Sequence, residues 1–184
     1  MRVNLKYALR SDASLLRAYS KGDAAAFEVL YRRYKDGLYN FLYRSLSRHS
    51  VAEEIAQEVW LGVIDRAGHY EEQGVMFRTW LYRIGRNKVI DYQRRKVNQP
   101  HLALDPHDEL LPANDLSVED NFLLRQLMAA LDELPNEQRE TFILQQEGFS
   151  NKEIAEITGV GGETVKSRLR YAKSSTRQRL ESGA

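Results

Sequence analysis

The chain has 184 residues, of which 42% are hydrophobic and 29% charged, a balance that suits one ordinary soluble domain or two small ones and excludes a membrane bundle. It has no cysteine, which excludes disulfides, zinc–thiolate sites and cysteine nucleophiles, so we expect a cytoplasmic protein. The net charge of +1 hides an uneven distribution: residues 1–96 carry 18 basic and 11 acidic residues, residues 97–135 carry 1 and 8, and residues 136–184 carry 8 and 7. A basic block beside an acidic block indicates that one part of the chain meets phosphates.

Helices can form throughout the first half of the chain, because the first proline is Pro100. Asp23 can cap a long helix, Ser50 precedes a second helical pattern, and Phe77 opens a third after a loop at Gly74. The apolar positions of these patterns are Phe27, Leu30, Tyr34, Leu38, Phe41 and Leu42, then Ala52, Ile55, Ala56, Val59 and Val63, then Phe77, Leu81 and Ile84. We predict that the three helices share one core.

The third helix, over residues 77–96, is both basic and aromatic. Polar side chains fall on the side away from its apolar stripe, and we predict that they face outward as a set: Arg83, Arg86, Asn87 and Arg94. Interleaved aromatic residues suit single-stranded nucleic acid, since any exposed base can stack on them while arginines follow the backbone. Taken alone, Trp80 and Tyr82 are more often core residues than stacking platforms.

A change of composition divides the chain in two. Residues 97–116 hold three prolines, four acids and no basic residue, without sustained periodicity, so we predict a linker. Beyond it, Ser117 can cap a helix to about Asp132, and Leu134-Pro135-Asn136 marks the start of another. No alternating strand pattern is present. The predicted fold class is therefore all-α, with small helical domains at residues 1–96 and 117–184 and an extended acidic linker at 97–116.

The last 35 residues read as a helix-turn-helix. Ser150 and Glu153 have the spacing of a capping box, Gly159 ends the short helix, and a second helix begins near Glu163. One face of that helix can pack, through Val165, Leu169, Ala172, Thr176 and Leu180. The opposite face can enter a major groove, through Glu163, Ser167, Arg170, Tyr171 and Ser174, flanked by Lys166 and Lys173. The alternatives are a helical hairpin with a solvated basic face and, for Glu163, a role confined to the helix dipole.

Four segments together resemble the extracytoplasmic-function (ECF) sigma factors of bacterial RNA polymerase. They are Leu16-Arg17-Ala18-Tyr19-Ser20-Lys21-Gly22-Asp23, Ala52-Glu53-Glu54-Ile55-Ala56-Gln57-Glu58, Thr79-Trp80-Leu81-Tyr82-Arg83-Ile84-Gly85-Arg86-Asn87 and Thr164-Val165-Lys166-Ser167-Arg168-Leu169. The resemblance implies two helical domains, region 2 and region 4. Region 2 would melt and read the −10 promoter element, and region 4 would read the −35 element.

The resemblance also implies the residues of each surface. The −10 contacts would come from Arg78, Trp80, Arg83, Arg86, Asn87, Lys88, Arg94 and Arg95. The −35 contacts would come from Glu163, Thr164, Lys166, Ser167, Arg170, Tyr171 and Lys173. The chain departs from the family pattern at Val51, often Asp, at Gly161-Gly162-Glu163, more usually Pro-Glu-Gly, and at Tyr171, commonly Arg. These departures bear on the clamp contact and on −35 base preference.

The partners implied by the resemblance are core RNA polymerase, through the β′ clamp helices and the β subunit, promoter DNA and an anti-sigma factor. The clamp-binding residues would be Glu53, Glu54, Gln57 and Glu58, which could otherwise be a solvated helix start enriched in acids. No small-molecule substrate is expected.

Two other functional classes compete with a sigma factor. The first is a stand-alone helix-turn-helix regulator whose residues 1–96 sense a ligand or dimerise. The second is a helical enzyme that pairs Glu53, Glu54 or Glu58 with a histidine, for which no spacing argues. A metal site at His101, Asp105, His107 and Asp108 is disfavoured because a proline-bearing linker supplies no fixed geometry. We therefore expect no catalytic residue, metal or cofactor.

Overall fold

The computed structural model describes residues 7, 9–70, 76–98 and 118–182. These residues form eight α-helices and one 3-10 turn and include no strand, which confirms the all-α prediction. The elements are α1 (Asp12–Ser20), α2 (Ala24–Leu46), α3 (His49–Arg66), the 3-10 turn (Ala67–His69), α4 (Phe77–Asn98), α5 (Val118–Asp132), α6 (Asn136–Gln146), α7 (Asn151–Thr158) and α8 (Gly162–Ser182). Of the predicted linker, residues 97 and 98 complete α4 and the remainder lies outside the described residues.

The N-terminal half, residues 7–98, packs α1 to α4 around one core. The predicted apolar stripes supply it, with Leu30, Leu38 and Phe41 of α2 facing Ile55 and Val59 of α3 and the buried face of α4. Helix α1 was not predicted as an element. Sequence reasoning passed over it because it is a short segment of nine residues, too short for a clear period.

Two local features set the geometry of this half. Asp23 precedes α2 as predicted, but its side chain makes no capping bond to that helix and instead accepts a hydrogen bond from the Tyr7 hydroxyl at 2.8 Å. Gly85 allows α4 to approach α2 closely, since a Cβ atom there would lie 3.2 Å from Leu38 Cδ1. The approach fixes α4, and with it the basic side chains that α4 carries.

The C-terminal half, residues 118–182, ends in the predicted helix-turn-helix. Ser150 and Glu153 form a reciprocal capping box at the start of α7, and Gly159 closes that helix with a left-handed φ of 73°. Val165, Leu169 and the two following stripe residues of α8 are buried, whereas Leu180 is exposed. The recognition helix is therefore anchored along its first four turns.

The two halves pack directly on each other. Helix α4 lies against α7, and α2 lies against α6, so that the hydrophobic core runs from one half into the other. The sequence predicted two domains joined by an extended linker and gave no sign of this docking. None of the described helices is both long and apolar enough to cross a membrane.

Candidate nucleic-acid and polymerase interfaces

The outer face of α8 is open to solvent. Its exposed residues are Glu163, Thr164, Lys166, Arg170, Tyr171, Lys173 and Ser174, while Ser167 is half-buried. Lys166 pairs with Glu163 at 2.7 Å, and the Arg170 guanidinium lies 5.2 Å from the centre of the Tyr171 ring. A rigid helix that presents Arg, Ser and Tyr side chains has the width and the donors to read base edges in a major groove.

The basic face of α4 is partly covered, contrary to the prediction that it faces outward as a set. The Arg83 guanidinium donates to the carbonyl of Glu156 at 2.7 Å, and Arg86 pairs with Glu140 at 2.6 Å. Arg78 donates to the carbonyl of Glu147. The sequence could not reveal these contacts because each joins residues more than 50 positions apart. Three of the predicted −10 residues are therefore engaged by the C-terminal half.

The other predicted −10 residues have varied surroundings. Asn87, Arg94 and Arg95 are exposed, and they continue the basic surface toward the end of α4. Trp80 is half-buried, with its ring against Tyr70 and Phe77 at centroid distances of 5.2 and 5.9 Å. The reading of Trp80 as a packing residue thus fits its contacts.

One predicted DNA contact and one predicted polymerase contact bind each other. Lys88 of α4 donates to Glu58 of α3 at 2.7 Å, with about a third of each side chain exposed. Glu58 is thereby turned toward α4, away from the other predicted clamp residues. We interpret the pair as a brace between α3 and α4.

A groove of about 590 Å³ lies between α2 and α3 and gathers the polymerase-binding candidates. Glu53 and Gln57 line it, and Glu54 is exposed on the same helix. The Lys35–Asp36 ion pair, at 2.8 Å, also lines it. Apolar side chains form the remainder of the lining: Phe27, Tyr31, Tyr39, Ala56, Trp60, Leu61 and Ile64. Sequence reasoning missed these residues, although the run Trp60-Leu61 followed by Ile64 has more apolar residues than the core stripe through Val59 and Val63 requires.

Several apolar residues of this groove are exposed to solvent. Leu61 is 59% exposed and Tyr31 41%, in the part of α2 and α3 that is otherwise well packed. Trp60 packs edge-on against Phe27 and Tyr31, at centroid distances of 5.8 and 5.0 Å. An apolar floor with acidic rim residues suits an amphipathic, basic partner helix.

A second apolar groove, of about 480 Å³, lies between α6 and the end of α8. Phe142 and Leu180 form its walls, and Lys173 and Arg177 stand at its rim. The hydroxyl of Thr176 is buried at this place and has no hydrogen-bond partner among the described residues. Lys173, predicted to face DNA, therefore also borders this groove.

Arg139 of α6 ties the two halves together at the end of α2. It is only 8% exposed, and its guanidinium donates twice to the carbonyl of Arg44, at 2.8 and 2.5 Å, and once to the Ser47 hydroxyl at 2.6 Å. Asp132 pairs with it at 2.6 Å. Burial lowers the pKa of Arg139, and the Asp132 charge counteracts part of that effect.

Two carboxylates are enclosed where α4 meets the C-terminal half. Burial raises the pKa of Glu140, an effect that Arg86 and Arg168 only partly offset. Burial likewise raises the pKa of Glu147 despite the nearby guanidinium groups of Arg44 and Arg78. Their enclosed surroundings therefore favour the protonated form of both carboxyl groups.

No group of three or more metal-binding side chains occurs within the described ranges. The histidines and aspartates considered from the sequence, His101, Asp105, His107 and Asp108, fall outside them.

Two family matches coincide with the two halves. Residues 30–99 match the family described as Sigma-70 region 2, and residues 124–175 match Sigma-70, region 4. The chain belongs to the sigma-70 family.

Curated relatives narrow the class to the ECF sigma factors of RNA polymerase. The chain is 33% identical to SigM of Mycobacterium tuberculosis over 90% of its own length and 82% of that protein. It is 30% identical to SigW of Bacillus subtilis over 90% of its length and 94% of that protein. It is 34% identical to SigE of Mycolicibacterium smegmatis over 86% of its length, and that match spans 64% of SigE, just under two thirds.

Solved structures show the same fold. RpoE of Bartonella quintana, in complex with the anti-sigma factor NepR, has a TM-score of 0.72 and 26% identity over 84% of this chain and 96% of that one. CnrH in complex with the cytosolic domain of CnrY has a TM-score of 0.73 at 21% identity, over 95% of this chain and 100% of that one.

Proposed function

We propose that this chain is the promoter-recognising subunit of an RNA polymerase holoenzyme. It binds core polymerase, reads the −35 element through α8 and the −10 element through α4, and catalyses no reaction itself, so that no residue, metal or cofactor has a catalytic role. Its place is the cytoplasm, with the polymerase. The observation that carries the proposal is the exposed recognition face of α8 together with the basic, aromatic face of α4 on one chain.

The two DNA surfaces suit different forms of DNA. The polar face of α8 lies on a rigid helix that suits intact duplex DNA. There Arg170 can donate hydrogen bonds to two acceptor atoms of a guanine. Helix α4 carries Asn87 and a row of arginines beside aromatic rings, which suits a melted strand with its bases turned out. We assign −35 recognition to Glu163, Thr164, Lys166, Ser167, Arg170, Tyr171 and Lys173, and −10 recognition to Arg78, Arg83, Arg86, Asn87, Arg94 and Arg95. Lys88 and Trp80 instead help to hold α4 in place, Lys88 through its pair with Glu58 and Trp80 through its packing against Tyr70.

The α2–α3 groove is the proposed seat of the β′ clamp helices. Glu53, Glu54 and Gln57 supply its polar contacts, while Leu61 and Ile64 supply the exposed apolar area that would anchor a partner helix. Glu58, held by Lys88, contributes less than the resemblance suggested. The groove between α6 and α8 is the proposed contact for the β subunit, because its walls are apolar; Lys173 at its rim also belongs to the proposed DNA face. An anti-sigma factor would cover these same surfaces.

Run-off transcription with purified core polymerase on a panel of promoters tests the proposal. Specific transcripts should depend on the chain, and Leu61→Asp should abolish them while Asp65→Asn, a change on the same helix, should not. A chain that binds duplex DNA but neither retains core polymerase nor yields a transcript would instead be a stand-alone helix-turn-helix regulator.

A further inference from the structure

The C-terminal half places an aromatic ring where a base would stack on α4. Phe149 lies beneath the Arg78 guanidinium, 3.8 Å from the ring centroid, and meets the Tyr82 ring edge-on at 4.7 Å. It is 3% exposed. A guanidinium over the face of an aromatic ring is also one of the contacts with which proteins hold an unpaired base.

Three arginines of α4 meet oxygen atoms of the C-terminal half. The carbonyl of Glu147 accepts from Arg78, the carbonyl of Glu156 accepts from Arg83 at 2.7 Å, and the Glu140 carboxylate pairs with Arg86 at 2.6 Å. Arg78, Arg83 and Arg86, spaced five and three residues apart along α4, thus each find an oxygen acceptor in the C-terminal half.

We propose that the segment from Glu147 to Glu156, together with Glu140, is an internal mimic of the −10 strand and competes with it for α4. The inference rests on the proposed function of α4 and adds the competitor. With the halves docked, Phe149 takes the place of a base and the three oxygen acceptors take the place of the sugar–phosphate backbone. A DNA strand and the C-terminal half therefore cannot occupy this face together.

The mimic covers one surface and leaves the others open. The recognition face of α8 and the apolar residues of the α2–α3 groove are exposed with the halves docked. Asn87, Arg94 and Arg95 remain exposed at the far end of α4. The docked chain can therefore bind duplex DNA through α8 while its strand-reading face is occupied.

A reversible disulfide across the interface tests the competition within one protein. Ser47 and Asp132, in different halves, touch through their side chains at 2.7 Å, lie outside α4 and α8, and the chain has no cysteine of its own. The variant Ser47→Cys with Asp132→Cys, oxidised with diamide, should hold the halves together, and dithiothreitol should release them. The probes are random-sequence DNA pools with a fluorescein label, one single-stranded and about 12 nucleotides long and one duplex.

The oxidised variant should bind the single-stranded pool about tenfold or more weakly than the reduced variant, because its strand-binding face is never free. Its affinity for the duplex pool should stay within about twofold, since α8 is exposed in either state. Equal affinity of both redox states for the single-stranded pool would overturn the mimic while leaving the assignment of α4 intact. No single-strand binding in either state would overturn the proposed role of α4 itself, and the mimic with it.

A second set of variants opens the interface without a cross-link. Glu140→Lys places a cation beside Arg86 and should tighten single-strand binding about tenfold relative to the wild type. Glu140→Gln keeps an oxygen acceptor and should resemble the wild type, and Glu137→Lys makes the same charge change at an exposed site on the same helix. Circular dichroism checks that each variant keeps its helices. If Glu137→Lys tightens binding as much as Glu140→Lys, the gain is general electrostatic attraction and the mimic is wrong.

Discussion

Replacing Arg139 by methionine should separate the two halves of the chain without unfolding either. The side chain spans the interface, and the methionine fills a similar volume but donates no hydrogen bond. Its loss leaves the carbonyl of Arg44 without the two bonds that it accepts in the docked chain. The Ser47 hydroxyl loses its donor as well.

The magnitude follows from the surroundings of each bond. A hydrogen bond from a charged donor contributes roughly 1.5 to 3 kcal/mol, and a buried carbonyl left unpaired costs about 1 to 3 kcal/mol. The Asp132 pair adds little, because that carboxylate is 48% exposed and solvent screens it. Relief from burying a guanidinium offsets part of the loss. A net change of about 2 kcal/mol shifts the balance between docked and separated halves about thirtyfold.

Energy transfer between dyes at Lys21→Cys and Ser175→Cys reports the separation, since both positions are exposed and the chain has no other cysteine. Arg139→Met should lower the transfer efficiency. Arg139→Lys keeps one charged donor, so its transfer efficiency should lie between those of Arg139→Met and the wild type. Far-ultraviolet circular dichroism should stay constant. Transfer efficiency equal to that of the wild type would show that the guanidinium contributes nothing to docking.

Three further outcomes follow from the surfaces described. Glu53→Lys with Glu54→Lys should weaken binding to core polymerase in a pull-down, because it reverses the charge of an exposed groove rim, while Glu137→Lys should not; wild-type retention would remove these residues from the interface. Arg170→Ala should cost about 1 to 3 kcal/mol on a preferred −35 duplex and leave transcription from a pre-melted bubble largely intact, so equal damage on both templates would refute the division between α8 and α4. Burial raises the pKa of Glu140 and Glu147 in the docked chain, so we expect the docked halves to take up protons and mild acid to favour docking. Dye transfer should then rise as pH falls toward the ordinary carboxyl value of 4.5, and Glu140→Gln with Glu147→Gln should flatten the response.

The helices and the exposed face of α8 were predictable because they depend on local patterns. The spacing of Leu30 and Leu38 predicts a buried stripe. The capping box of Ser150 with Glu153 fixes the start of α7 within four residues. The exposed apolar residue Leu61 could also have been identified from the sequence, since it lies outside the periodic core positions of its helix. These features need no knowledge of distant segments.

The docking of the halves was not predictable in the same way. Arg83 looks the same whether it meets a phosphate or the carbonyl of Glu156, because a cation carries no mark of which oxygen it will bind. Arg139 lies in a polar stretch of α6 and has no sequence feature that separates it from a solvated arginine. Only the tertiary structure brings its guanidinium to the end of α2, where it meets the carbonyl of Arg44.

The C-terminal half is covalently connected to α4, and this connection makes it a stronger competitor for any DNA strand that binds α4. Two sites on one polypeptide meet at an effective concentration in the millimolar range when a flexible connection spans them, and dilution of the protein does not lower it. A promoter strand at nanomolar concentration therefore competes with a segment whose local concentration is far higher than its own. Raising the DNA concentration is therefore an inefficient way to separate the docked halves. A large assembly that binds each half at a separate place can separate them by holding the halves apart.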